Sequence, residues 1–238
     1  MYVSWPVICL TFAAGFEIVM AVAARSRMRT IAAKPFMLGL LLAAVWAINY
    51  ALDLSTASFD DKLLLLRLRF TFLPFYPLVW FETAYRLAYG RRCLYSWRLA
   101  LASIVPAITV ALDWFPSSHE FLVLQRNFHL DLTGIVPLLR FSPGPWSSVF
   151  YGFAFSFVLA SILVLFTAPP DVWDRHARRL FGIAYIIGAV LNGAFAFQRS
   201  PTPGLNYGPI LAPLSYALIL VALRRGRMFR LALQQQAA

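Results

Sequence analysis

SSVFYGFAFSFVLASILVLFTA, residues 147–168, runs for its whole length without one charged side chain. As a helix it would extend about 33 Å at 1.5 Å per residue, enough to cross the hydrocarbon core of a bilayer. Six more segments approach that length and character: 5–24, 36–54, 69–88, 98–115, 180–198 and 207–223. Together they predict an all-α membrane protein, a seven-transmembrane helix bundle. Residues 1–223 are expected to form that domain, and 224–238 a basic cytoplasmic tail. One long connection, 116–146, holds Pro116, Pro137, Pro143 and Pro145. It is expected to be irregular or only briefly helical.

Composition agrees with lipid as the solvent. Of the 238 residues 61% are hydrophobic and 13% charged, against about half and a quarter in soluble domains. The net charge of +11 does not indicate nucleic acid, because most arginines sit in short clusters between apolar runs. The first apolar run has no basic segment before it and is followed by Arg25, Arg27 and Arg29. It reads as an anchor rather than a cleaved signal peptide. Cys9 and Cys93 are not expected to form a disulfide.

Those clusters set the orientation. Fifteen of the lysines and arginines fall in connections 1–2, 3–4 and 5–6 and in the tail; six fall on the other side. The richer side should be cytoplasmic, which puts the N-terminus outside and the C-terminus in the cytoplasm. The outer side also collects Asp53, Asp60, Asp61, Asp113, Glu120 and Asp131. Trp5, Trp97, Trp114 and Trp146 lie near span ends, as interfacial aromatics do.

An ionisable group within a span is a candidate for function. Glu17 lies deep in the first span and has no partner nearby in sequence. Glu82 has Arg86 one turn on, so a local ion pair explains it. Asn49 and Asp53 lie on one face at the end of the second span, and Arg67 and Arg69 open the third. These four predict a clamp across the hairpin or an outer mouth for a polar ligand; with Glu17 they are the candidate ligand-binding residues. His119, Glu120, His129 and Asp131 share the long connection but match no tight metal spacing, and read as solvated. Prolines 74, 77, 106, 209 and 213 are expected to kink spans three, four and seven. Gly182, Gly188 and Gly193 should allow close helix approach in span six.

No Gly-rich phosphate loop, nucleophile–base pair or intramembrane histidine pair is present, so an enzyme is not expected, nor a cofactor or metal. The lysines, Lys34 and Lys62, both read as lying in connections, which argues against a retinal Schiff base.

The order of motifs resembles the seven-transmembrane N-terminal sensor region of bacterial histidine kinases, from about residue 36 to 230. Trp46 and Asp53 stand in VWAINYALDL, Lys62 precedes the third span, and Pro77 leads to an aromatic-rich end at Tyr85. Gly144 and Pro145 precede Tyr151, Arg178 and Arg179 open the sixth span, and PTPGLNYGP with Pro209 opens the last. The basic tail Arg224–Arg230 fits a cytoplasmic exit. Two positions depart from the pattern: Asn206 stands where an acid is common, and Pro116 where an Asn precedes His119 by three.

The resemblance implies a sensory receptor domain in the bacterial inner membrane. It would relay an outer or intramembrane stimulus through helix seven to a cytoplasmic output domain or partner membrane protein. The family continues into PAS and kinase or cyclase domains. These 238 residues hold no phospho-accepting His motif or ATP site, so the expectation is an excised sensor or a relative that signals through a partner. Partners are then the lipid bilayer, that output and an unknown small ligand, with no nucleic acid. The competing readings are a structural or assembly subunit of a larger membrane complex, and a transporter or lipid-handling protein.

Overall fold

The computed structural model describes residues 4–27, 31–115, 119–169, 175–196 and 205–225. Helix α1 spans Trp5–Arg27 and α2 Ala33–Ser55; α3 (Phe59–Phe72) meets α4 (Tyr76–Tyr89) through a 3₁₀ turn at Leu73–Phe75. Then come α5 (Ser96–Ala102), α6 (Ile104–Trp114), α7 (His119–Leu122), strands β1 (Val123–Asp131) and β2 (Leu138–Pro143), α8 (Pro145–Thr167), α9 (Arg175–Ala196) and α10 (Tyr207–Arg225).

Six helices close a ring: α1 packs on α2, α2 on α4, α4 on α8, α8 on α9, α9 on α10, and α10 back on α1. Inside lies an apolar core built on Phe36, Leu40, Trp80, Phe181, Tyr185 and Tyr216. Outside, Phe12, Val19, Leu159 and Val190 are among many large apolar side chains left exposed. A soluble monomer does not expose so continuous an apolar surface. Among the described residues five helices, counting α3 to α4 as one, are long and apolar enough to cross a membrane; Ile104–Trp114 and Tyr207–Ala222 are shorter apolar helices. α6 lies outside the ring against α3 and α8.

Proline chemistry explains the breaks. Pro74 and Pro77 lack an N–H, and the helix tightens to 3₁₀ around Pro74, just before α4. Pro106 cannot bond the carbonyl of Ala102, and the helix breaks at Ser103 between α5 and α6. Pro213 is absorbed inside α10.

Three expectations are corrected. The 116–146 connection is not irregular: it carries α7 and an antiparallel hairpin, so the chain is not purely α-helical. Its prolines mislead because they stand where a missing N–H is harmless, at Pro137 just before β2, at the strand end Pro143, and at the first position of α8, Pro145. Gly144 is required there: a Cβ would collide with the carbonyls of Glu120 and Phe121. The third helix begins at Phe59, ten residues before the expected start. Ser58 caps it by accepting from Asp61 N at 3.3 Å, and Asp60 and Asp61 suit the positive end of its dipole. Lys62 therefore lies within α3, and not in a connection; it is 0% exposed. The stretches 201–204 and 226–238, which hold part of the last-span motif and most of the basic tail, lie outside the described residues, as does Pro116.

Candidate functional site

Asp53, near the end of α2, is held by two cations from α3. Its Oδ2 takes Arg69 Nη2 at 2.6 Å and its Oδ1 takes Lys62 Nζ at 3.1 Å. Lys62 Nζ also donates to the backbone carbonyl of Asp53 and, at 2.9 Å, to that of Pro137. Three acceptors need three N–H bonds, so Lys62 is an ammonium. Asn49, one turn before Asp53, accepts from Arg69 Nε at 3.2 Å and donates to Leu65 O at 3.0 Å. The Arg69 guanidinium lies 4.8 Å from the Tyr50 ring centroid. The Tyr50 hydroxyl in turn accepts from Asn206 N at 2.7 Å, and Asn206 Oδ1 accepts from Gly208 N, at the start of α10.

One network thus joins α2, α3, the hairpin and α10. Of the candidate residues it unites Asn49, Asp53 and Arg69. Arg67 is not in it: two residues from Arg69, it points elsewhere on the helix. Its charge acts on Asp113 of α6, and its Nε is buried without a hydrogen bond. Glu17 is also apart. It is 1% exposed, and its Oε2 makes no hydrogen bond. It lies near enough to the hydroxyls of Tyr76 and Tyr216 to act on them electrostatically. Those two hydroxyls bond to each other and tie α4 to α10.

Lys62, Tyr50, Asn206 and the Tyr76–Tyr216 pair were not among the candidates. Tyr50 had a signal, since it shares the helix face of Asn49 and Asp53. The tyrosine pair had none in local sequence.

Arg69 of the ion cluster also borders a cavity of about 200 Å³. Its walls include Arg69, Trp46, Tyr76, Trp80, Tyr185 and Tyr216. Ser215 also faces it, and its Oγ is buried without a hydrogen bond.

A further buried acid, Glu82, behaves as a staple. Glu82 Oε1 takes Arg86 Nε at 2.6 Å, and its Oε2 accepts from Leu94 N at 2.9 Å and Cys93 N at 3.3 Å. Arg86 also donates to Ile31 O. Burial, then the Glu82 charge, pushes the Cys93 thiol up. On the hairpin, Asp131 accepts from Thr133 and Arg140, which hold its carboxyl down at about 2. His129 is exposed and sits opposite Arg140 in the register.

No curated protein matches the chain. A family model described as the N-terminal 7TM region of histidine kinase matches residues 9–232. That match runs from within α1 through α10 and includes the hairpin between them. The exposed apolar belt, the membrane-length helices and this match lead to one conclusion: the chain belongs to the family of N-terminal seven-transmembrane regions of histidine kinases, which are membrane sensory domains.

Proposed function

We propose that the chain is a receptor whose stimulus is relayed through α10 to a cytoplasmic output. In this reading α1, α2, α3–α4, α5–α6, α8, α9 and α10 are seven crossings within residues 1–223, with the N-terminus outside. The hairpin end faces outward, and residues 224–238 leave as a basic tail whose arginines meet anionic headgroups. Asn49, Asp53 and Arg69 form the outer mouth, with Arg67 turned toward Asp113 and Glu17 apart, near Tyr76 and Tyr216.

The observation that carries the relay is the cavity wall. It includes Arg69 of the ion cluster and Ser215 and Tyr216 of α10, so an occupant would contact both. A stimulus shifts a receptor only by binding its two arrangements unequally. The Tyr76–Tyr216 bond is where such a difference would be felt, since it joins α10 to α4 beside the 3₁₀ break.

Two measurements test this. Reporter fusions after Arg92 and after Arg227 should both read as cytoplasmic; a periplasmic signal at either overturns the orientation. For the relay, spin labels go at Leu99 and Val221, both exposed, with Cys9 and Cys93 replaced by serine. Tyr216→Phe should change the distance distribution between them. An unchanged distribution removes α10 as the route.

A further inference from the structure

We infer that the cavity is a binding site for a compact aromatic monoanion, a carboxylate carried on one or two rings and seated head-first on Arg69. The inference rests on the receptor reading above and names the class of its stimulus.

Charge supplies the first argument. Asp53 is one carboxylate shared by two buried cations, Lys62 and Arg69. The cluster keeps one positive charge in excess, in surroundings where an uncompensated charge is costly. Lys62 has spent all three of its N–H bonds. Arg69 has not: Nε and Nη2 each donate once, and Nη1 donates to none of the described residues. Arg69 lines the cavity, so the excess charge borders that space. A planar guanidinium with an open edge suits a carboxylate.

The rest of the lining sets the body of the ligand. Among the described residues no Asp or Glu lines the cavity, which disfavours a cation. Trp46, Tyr76, Trp80, Phe155, Tyr185 and Tyr216 supply ring faces and edges, the surfaces on which aromatic ligands gain beyond area alone. Ser215 Oγ offers one further hydrogen bond deeper in the cavity. Size fits the class: an engineered apolar cavity of about 150 Å³ holds benzene, so about 200 Å³ has room for a bicyclic or substituted ring.

The test uses the whole chain in lipid nanodiscs, with 2-naphthoate as the probe and 2-naphthylmethanol as its neutral partner. Equilibrium dialysis measures binding above that of empty nanodiscs. The unaltered chain should bind naphthoate at least about tenfold tighter than the alcohol, the size of one charge-assisted contact. Arg69→Gln should abolish that preference. Because Arg69→Gln also disturbs the ion cluster, Gly188→Leu provides the independent arm. Gly188 lines the cavity, and a Cβ there meets nothing within 4 Å. The larger side chain should fill the space, leave the melting temperature intact and weaken naphthoate about tenfold or more. Binding no greater than that of empty nanodiscs, equal binding of acid and alcohol, or indifference to Gly188→Leu would each overturn the site. Displacement of naphthoate by oleate at equal membrane mole fraction would move the class to fatty acids and overturn the compact ligand.

Failure here is separable from failure of the relay. Naphthoate that binds without moving the Leu99–Val221 distance leaves the site standing and sinks the relay. A distance that responds to Tyr216→Phe in a chain that binds no naphthoate sinks the site alone.

Discussion

Asp53 and Glu82 each pair with an arginine inside this bundle, and exposure does not tell the two pairs apart. The side chains of the Asp53–Arg69 pair are 13% and 10% exposed, and those of the Glu82–Arg86 pair 8% and 14%. Reach and balance separate them. Glu82 takes its cation from the next turn of its own helix and spends its second oxygen on the backbone that follows. It is neutral as a pair and fixes a local turn. Asp53 gathers cations nine and sixteen residues away, and through Lys62 and Tyr50 reaches the hairpin and α10. It is overmatched by one charge. A balanced pair holds its place, whereas an unbalanced one at a junction of four segments has something left to bind.

The largest expected effect tests that imbalance. Asp53→Ala leaves two buried cations without an anion and should cost about 3–5 kcal/mol, read as thermal unfolding in detergent. Glu82→Ala leaves Arg86 its bond to Ile31 O and should cost less, about 1–3 kcal/mol; equal losses would break the comparison. Lys62→Met sharpens it. This change removes the excess cation while keeping Asp53 paired with Arg69, so it should also cost less than Asp53→Ala despite losing the Pro137 contact.

Smaller still is Tyr216→Phe, which removes one hydroxyl–hydroxyl bond. It should cost about 1 kcal/mol, yet shift the spin-label distance named above. The smallest effect lies on the hairpin. The folded Asp131 carboxyl titrates at about 2, below its ordinary 3.8. Its contribution is complete above the ordinary value and fades as pH falls toward 2. Amide exchange in β1 and β2 should therefore quicken between pH 4 and pH 2, and stay flat above pH 5 once corrected for intrinsic rates.

Sequence made the helices legible because lipid leaves them little alternative: an apolar stretch such as 147–168, placed across a bilayer, satisfies its backbone within itself as a helix. It made Asp53 and Arg69 legible because opposite charges on consecutive spans pair across the hairpin that joins them. It hid Lys62, whose buried setting depends on a carbonyl 75 residues later. It hid the Tyr76–Tyr216 bond, whose partners are 140 residues apart. The hairpin was concealed differently: its prolines suggested irregularity, but they stand at strand and helix boundaries.

The closed ring has a consequence for synthesis. α1 emerges first and α10 last, yet each is the other's neighbour. Until α10 leaves the insertion machinery, α1 keeps a bare flank, Tyr50 lacks the amide of Asn206, and the cavity lacks the side that Ser215 and Tyr216 provide. A nascent chain halted after Ala196 would hold its earlier helices in the bilayer but have no finished chamber. The chamber is therefore completed only when the last helix arrives.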